Sequence, residues 1–192
     1  MVFAERGFHR ARIQDVAARA RIAVGTVYNH FEQKEDVLRA LLEERTEGFI
    51  SQLEAHEADP RGFEGRLRAR IDRMLKYVDT HRAFFTVAAD HGLIGGGNAS
   101  ATAILGAKSA KNIARVRAIF MAVITEGIAA GALEPSDPPS LARFLGALVR
   151  GFTIGALQND SAAPLANDGA LVVRLFLRGA SRSPARASKK SR

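Results

Sequence analysis

The sequence predicts an all-α fold. Apolar residues recur three and four apart through most of the chain, the spacing that gathers them on one stripe of a helix. No stretch shows the apolar–polar alternation of a half-buried strand, and breaks such as Asp59-Pro60-Arg61-Gly62 and Gly131 to Pro135 separate the stripes. At 192 residues, 47% hydrophobic and 25% charged, the chain can bury a sizeable core and has an ordinary globular composition.

The first clear stripe is Ile13, Val16, Ala17 and Ala20. Arg21-Ile22-Ala23 interrupts it. A short second helix then places Val27 and Phe31 inward, and a third begins near Lys34-Glu35 and buries Val37, Leu38, Leu41 and Leu42. Two short helices across a tight turn, followed by a long one, is the layout of a helix-turn-helix, whose second helix enters the DNA major groove. Thr26, Tyr28 and His30 face away from the stripe as hydrogen-bonding groups, and Gly25 leaves room for close backbone approach. On spacing alone, an ordinary helical hairpin fits these residues equally well.

The third helix should run on to about Ala55 with Phe49, Ile50 and Leu53 on its apolar side, long enough to link two domains. Asp59-Pro60-Arg61-Gly62 breaks the pattern. Phe63, Leu67, Ile71, Met74, Leu75 and Val78 make the next stripe, and the row Arg66, Arg68, Arg70, Arg73 and Lys76 reads as its solvated side. Thr80 reads as the cap of a short helix, His81 to His91, bearing Phe84, Phe85, Val87 and Ala88. Gly92 to Asn98 lacks the Lys and the preceding strand of a phosphate-cradling loop, so it reads as a flexible connector.

A long helix, about Ala101 to Ala130, buries Ile113, Val116, Phe120, Val123, Ile124 and Ile128 and stops at Gly131 with Pro135 beyond. The following helix, about Pro139 to Gln158, is apolar on almost every side and carries Gly146, Gly151 and Gly155. Each interior Gly costs roughly 1 kcal/mol against Ala, which implies a partner packed closely there. Asp168 reads as the cap of a last helix, Gly169 to Gly179. A helix apolar all round in so small a chain points to sharing with another subunit. The dimer interface is expected at Leu145, Leu148, Val149, Phe152, Gly155, Val172, Leu175 and Phe176. Residues 180–192 are too polar to pack and read as a disordered basic tail that could add non-specific DNA affinity.

Residues 8–42, most densely Ile13 to Ala17 and Gly25-Thr-Val-Tyr-Asn-His-Phe-Glu-Gln-Lys-Glu35, resemble the DNA-binding domain of the tetracycline-repressor (TetR) family of bacterial transcription regulators. The resemblance implies an N-terminal helix-turn-helix three-helix unit over 1–45, joined by a long helix to an α-helical ligand-binding and dimerisation domain over 46–179. It implies a cytoplasmic homodimer on double-stranded DNA with a near-palindromic operator, dimerised through a four-helix bundle of its last two helices. It further implies a repressor released by a small-molecule effector. Carried over by position, Val24, Gly25, Thr26 and Tyr28 lie on the recognition helix. Thr26, Tyr28, His30 and Lys34 meet phosphates, with Tyr28 also near bases, and Gln14 reaches a base edge. The implied effector pocket lies among the long helices after Glu47, with Phe49, Leu53, Met74, Tyr77, Phe84, Phe85, Phe120 and Ile124 as candidate lining for an apolar or aromatic ligand. Each of these also reads as plain core.

Three departures stand against the family pattern. Ala23 and Arg12 replace capping residues worth about 1 kcal/mol each. Arg21 replaces a turn Gly, a strain if that position needs φ > 0. Only about Val2 to Arg6 precede the Gly7-Phe8 turn, so the first helix is truncated; one turn is not self-supporting and would leave Val16, Val27 and Phe31 uncovered. The expectation is a natural start upstream. The rival reading is an all-α ligand- or partner-binding dimer that has lost DNA binding.

The net charge of +8 adds little to the DNA case. Six cations from Arg178 to Arg192 have no acid among them, which leaves +2 for the rest. The first 30 residues hold Arg6, Arg10, Arg12, Arg19 and Arg21 against Glu5 and Asp15, a modest local +3 at the helix-turn-helix. Catalysis and cofactors are not expected. The five His are scattered without metal-ligand spacing, no Ser sits in a Gly-x-Ser-x-Gly turn, and Asp90-His91 reads as a helix end. With no Cys, no signal peptide and no uninterrupted apolar run of about 18 residues, the chain reads as cytoplasmic and not bound to a membrane.

Overall fold

A computed structural model describes residues 2–8, 10–55, 61–90, 94, 99–135, 137–159 and 163–180. All regular structure among them is helical: α1 (Val2–Arg6), α2 (Ile13–Ala20), α3 (Val24–Tyr28), α4 (Lys34–Glu54), α5 (Gly62–Thr80), α6 (Arg82–Asp90), α7 (Ala99–Ala129), α8 (Pro138–Gln158), a 3-10 turn (Leu165–Asp168) and α9 (Gly169–Ala180). The Asp59-Pro60 break, most of the 92–98 connector and the 181–192 tail lie outside the described residues.

The N-terminal unit folds around a small apolar centre. Ile13, Ala17, Val27, Val37, Leu38 and Leu42 are buried together with Phe3, Phe8 and Ala11. The Phe3 and Phe8 rings lie 5.5 Å apart. The expectation that so short a first helix would leave the inner faces bare is therefore corrected for Val27, which is buried, while Val16 and Phe31 are half-buried. The turn after α1 supplies Phe8 and Ala11 to the same centre. Lys34 fixes that turn from α4: its ammonium donates to the carbonyls of Phe8 (2.8 Å) and Ala11 (3.2 Å) and sits 4.5 Å over the Phe8 ring.

The helix ends are held by acids and backbone rather than by cap hydroxyls. Asp15 and Asp36 reach back to accept the N–H of Arg12 (3.0 Å) and Gln33 (3.1 Å), the acid half of a capping box. Neither Arg12 nor Ala23 makes a side-chain cap bond. At the end of α2, Ile22 N–H donates to Ala17 O and Arg21 N–H to Ala18 O, the paired bonds of a Schellman motif. That motif needs a left-handed residue. Arg21 takes it, at φ 58° and ψ 41°, where a non-glycine residue is strained by about 1 kcal/mol.

α4 leaves this unit and packs against α5 and α7, while α1 contacts both α2 and α6. α8 lies between α6, α7 and α9, and α5 supports the 3-10 turn and α9. Two features here were not expected. The α5 arginines make partly buried polar contacts instead of a solvated side: Arg66 pairs with Glu126 of α7 at 2.6 Å and Arg68 with Asp72 at 2.7 Å, and Arg73 donates to Ala55 O at 2.7 Å. Asp79 is the second. It accepts the N–H groups of Leu165 and Ala166 (3.0 and 3.1 Å) and pairs with Arg82, whose guanidinium also donates to Ala156 O. One carboxylate thus fastens the 3-10 turn to the end of α5. Thr80 does not cap α6, because it ends α5 and its hydroxyl donates back to Lys76 O.

Candidate functional site

At the helix-turn-helix, apolar side chains turn inward and hydrogen-bonding ones turn outward. On α3 Val27 is buried, while Gly25 and Thr26 are exposed and Tyr28 is 51% exposed. Gln14 on α2 and His30 just after α3 are exposed too. Val24 is half-buried, and a Cβ built on Gly25 would meet nothing within 4 Å. The helix therefore presents an open ridge with its smallest residue near the tip. Lys34 stands apart from the other predicted DNA contacts, since its ammonium is already engaged by the Phe8 and Ala11 carbonyls.

The charges around this ridge divide cleanly. Arg6 pairs with Asp15 at 2.6 Å and Arg19 with Glu5 at 3.3 Å. Arg10, Arg12 and Arg21 have no acidic partner among the described residues, and all three are exposed at the ends of α2 or just before it. They supply the local +3, in the place where a polyanion would use it.

The residues expected to line an effector pocket are packed against one another, and Leu53 also borders a cleft. Leu53, Met74 and Ile124 are fully buried and Phe84, Phe85 and Phe120 nearly so, all in one packed core. Phe85 is the centre of an aromatic cluster, 5.3 Å from Phe84, 6.1 Å from Tyr77 and 6.2 Å from Phe49. The Tyr77 hydroxyl donates to Arg45 O of α4 at 3.2 Å, and a Cβ on Gly48 would fall 2.1 Å from that hydroxyl. Helical periodicity cannot separate packed core from cavity lining. Beside this cluster lies a cleft of about 230 Å³ between α4, α5 and α7, lined by Leu53, Glu54, Arg70, Ile119, Ala122 and Glu126. Its rim is charged. Burial pulls the Arg70 guanidinium below its ordinary pKa, with Glu126 opposing. Arg115 bridges Glu47 (2.8 Å) and Glu54 (3.0 Å) along the same edge of α4.

The predicted dimer residues divide in two. Leu145, Val149, Val172 and Phe176 are between 0% and 5% exposed and belong to the subunit's own core, so they have no surface to offer a second copy. Leu148, Phe152 and Gly155 are half-exposed and Leu175 is exposed. Phe144, absent from the predicted set, is 47% exposed beside them, its ring 6.0 Å from that of Phe176. A Cβ on Gly151 or Gly155 would meet nothing within 4 Å in the subunit. α8 is long and apolar enough by length and composition to cross a membrane, yet most of it is not buried within the subunit.

The layout of α2 and α3 is that of a helix-turn-helix, and known proteins share it. Residues 1–41 match the family described as bacterial regulatory proteins, tetR family. The fatty acid metabolism regulator protein of Bacillus subtilis is 40% identical over 53 residues, 28% of this chain and 27% of that one. The HTH-type transcriptional activator FasR of Mycolicibacterium smegmatis is 26% identical over 78 residues, 41% of this chain and 36% of that one. The sequence matches thus span only about a quarter to a third of these curated relatives. In fold the likeness runs further. The crystal structure of the transcriptional regulator FadR from Bacillus subtilis in complex with stearoyl-CoA superposes with a TM-score of 0.74 at 23% identity, over 93% of each chain.

Proposed function

We propose that this protein is a homodimeric, cytoplasmic transcription regulator that represses from a near-palindromic operator and is released by a long-chain apolar effector. One observation carries the DNA reading: the outward ridge of Gln14, Gly25, Thr26, Tyr28 and His30 over a buried Ile13–Ala17–Val27 side. Thr26, Tyr28 and His30 are proposed to bind phosphates, with Tyr28 also touching bases. Lys34 acts by stiffening the turn beneath them. The dimer is supported by the uncovered apolar side of α8 and α9, where Gly151 and Gly155 leave room that nothing in the subunit fills. Two recognition helices would then stand about one DNA turn apart.

The effector class rests on the relatives, one of them a fatty acid metabolism regulator and one solved with stearoyl-CoA. At about 230 Å³ the cleft is below the usual range for enclosing a whole small molecule. An acyl chain entering from this cleft would part the packed aromatic cluster, and Tyr77 and Gly48 would pass that displacement to α4. Such a ligand releases DNA only by binding the displaced arrangement better. Hydroxyl-radical footprinting on the DNA flanking the protein's own gene tests the reading. Two protected patches about one helical turn apart, lost on adding stearoyl-CoA, are expected. Absence of any sequence-dependent protection overturns the regulator reading, and protection indifferent to acyl-CoA overturns the effector.

A further inference from the structure

The chemistry of the exposed ridge restricts which bases it can read. α3 consists of Val24, Gly25, Thr26, Val27 and Tyr28, with no charged side chain. Arg10, Arg12 and Arg21, which have no acidic partner among the described residues, flank α2 and are not on α3. Arginine and lysine are the side chains that most often specify guanine, through its O6 and N7, and carboxylates those that accept from cytosine N4. Neither type is on the reading helix. What it offers is the half-buried methyls of Val24 beside an open Gly25, and the hydroxyls of Thr26 and Tyr28. Gln14, exposed on α2, adds an amide, the group that pairs two-pronged with adenine N6 and N7.

We infer that each operator half-site is read through A·T pairs, Gln14 specifying an adenine and Val24 the methyl of a thymine, with the arginines confined to phosphates. This rests on the DNA-binding reading above. Asn29, exposed at the end of α3, carries another amide nearby and serves as the control.

The test is selection of binding duplexes from a random library by the full chain, followed by affinities for modified sites. The expected half-site contains a symmetric adenine whose replacement weakens wild type by about 5- to 150-fold, equivalent to roughly 1–3 kcal/mol. Gln14→Ala should bind all four bases alike at that position, with an unchanged salt dependence, while Asn29→Ala keeps the preference. Replacing thymine by uracil at the Val24 position should weaken wild type and leave Val24→Ala unaffected. A guanine or cytosine at the Gln14 position, loss of the adenine preference in Asn29→Ala instead, or indifference to uracil would overturn the inference while DNA binding stood. Recovery of no enriched sequence would overturn both.

Discussion

At the helix-turn-helix the subunit exposes hydrogen-bonding tips beside a glycine, and three exposed arginines near α2 have no acidic partner among the described residues. Along α8 and α9 it exposes Phe144, Leu148, Phe152 and Leu175 beside two glycines with empty space above them. The first surface is suited to a wet, charged partner whose contacts must be directional, the second to an apolar copy of itself. Their supports differ as well. In the N-terminal unit α2 and α3 lack hydroxyl caps, and the turn between them holds a strained arginine. The second region is fastened by partly buried ion pairs and the Asp79 anchor. Substitutions should therefore act on folding at one end and on assembly at the other.

The largest effect is expected in the N-terminal unit. Phe3→Ala removes a fully buried ring from a small centre and should cost about 3 kcal/mol or more, read by chemical denaturation. If stability is unchanged, α1 is not part of the folded unit. Next comes the opposite surface. Phe144→Glu combined with Leu175→Glu should give a folded monomer by light scattering, with operator affinity down about 100-fold or more as the second half-site is lost. A dimer that survives both charges places the interface elsewhere.

Glycines sharpen the comparison within one fold. Gly127→Ala drives a methyl to within 2.6 Å of Phe63 and Leu133 and should destabilise the subunit by about 1–3 kcal/mol. Gly151→Ala meets nothing in the subunit and should add up to about 1 kcal/mol of helix stability, yet weaken self-association measured by sedimentation. Equal effects at the two positions would contradict the distinction between inner and outer sides. Smaller still, Arg21→Gly should relieve its left-handed strain and raise stability by about 1 kcal/mol; a loss on thermal melting would show that the arginine holds the turn.

The helices were legible in the sequence because their stripes are long and regular: α4 was expected from Lys34 to about Ala55 and ends at Glu54, and α8 and α9 fall within one residue of their expected ends. The outward tips of α3 were legible for the same reason, since Val27 and Phe31 fix which side faces in. α8 defeated that logic. With apolar residues all round, periodicity could not say that Leu145 and Val149 face inward while Phe144 faces outward. Contacts distant in sequence were invisible altogether: Asp79 meets Leu165 and Ala166, Arg66 meets Glu126, and nothing local marks these residues as partners. The cleft between α4, α5 and α7 was hidden because a wall of a cavity and a packed core residue share the same spacing.

The central claim is that the α3 tips are free to serve DNA and carry no structural duty. Tyr28→Ala and Thr26→Ala, each compared with wild type by fluorescence anisotropy on a footprinted site and by thermal melting, test it most directly. The account predicts affinity at least about tenfold weaker, equivalent to roughly 1.4 kcal/mol, with the melting temperature unchanged. Unchanged affinity with a lowered melting temperature would contradict it.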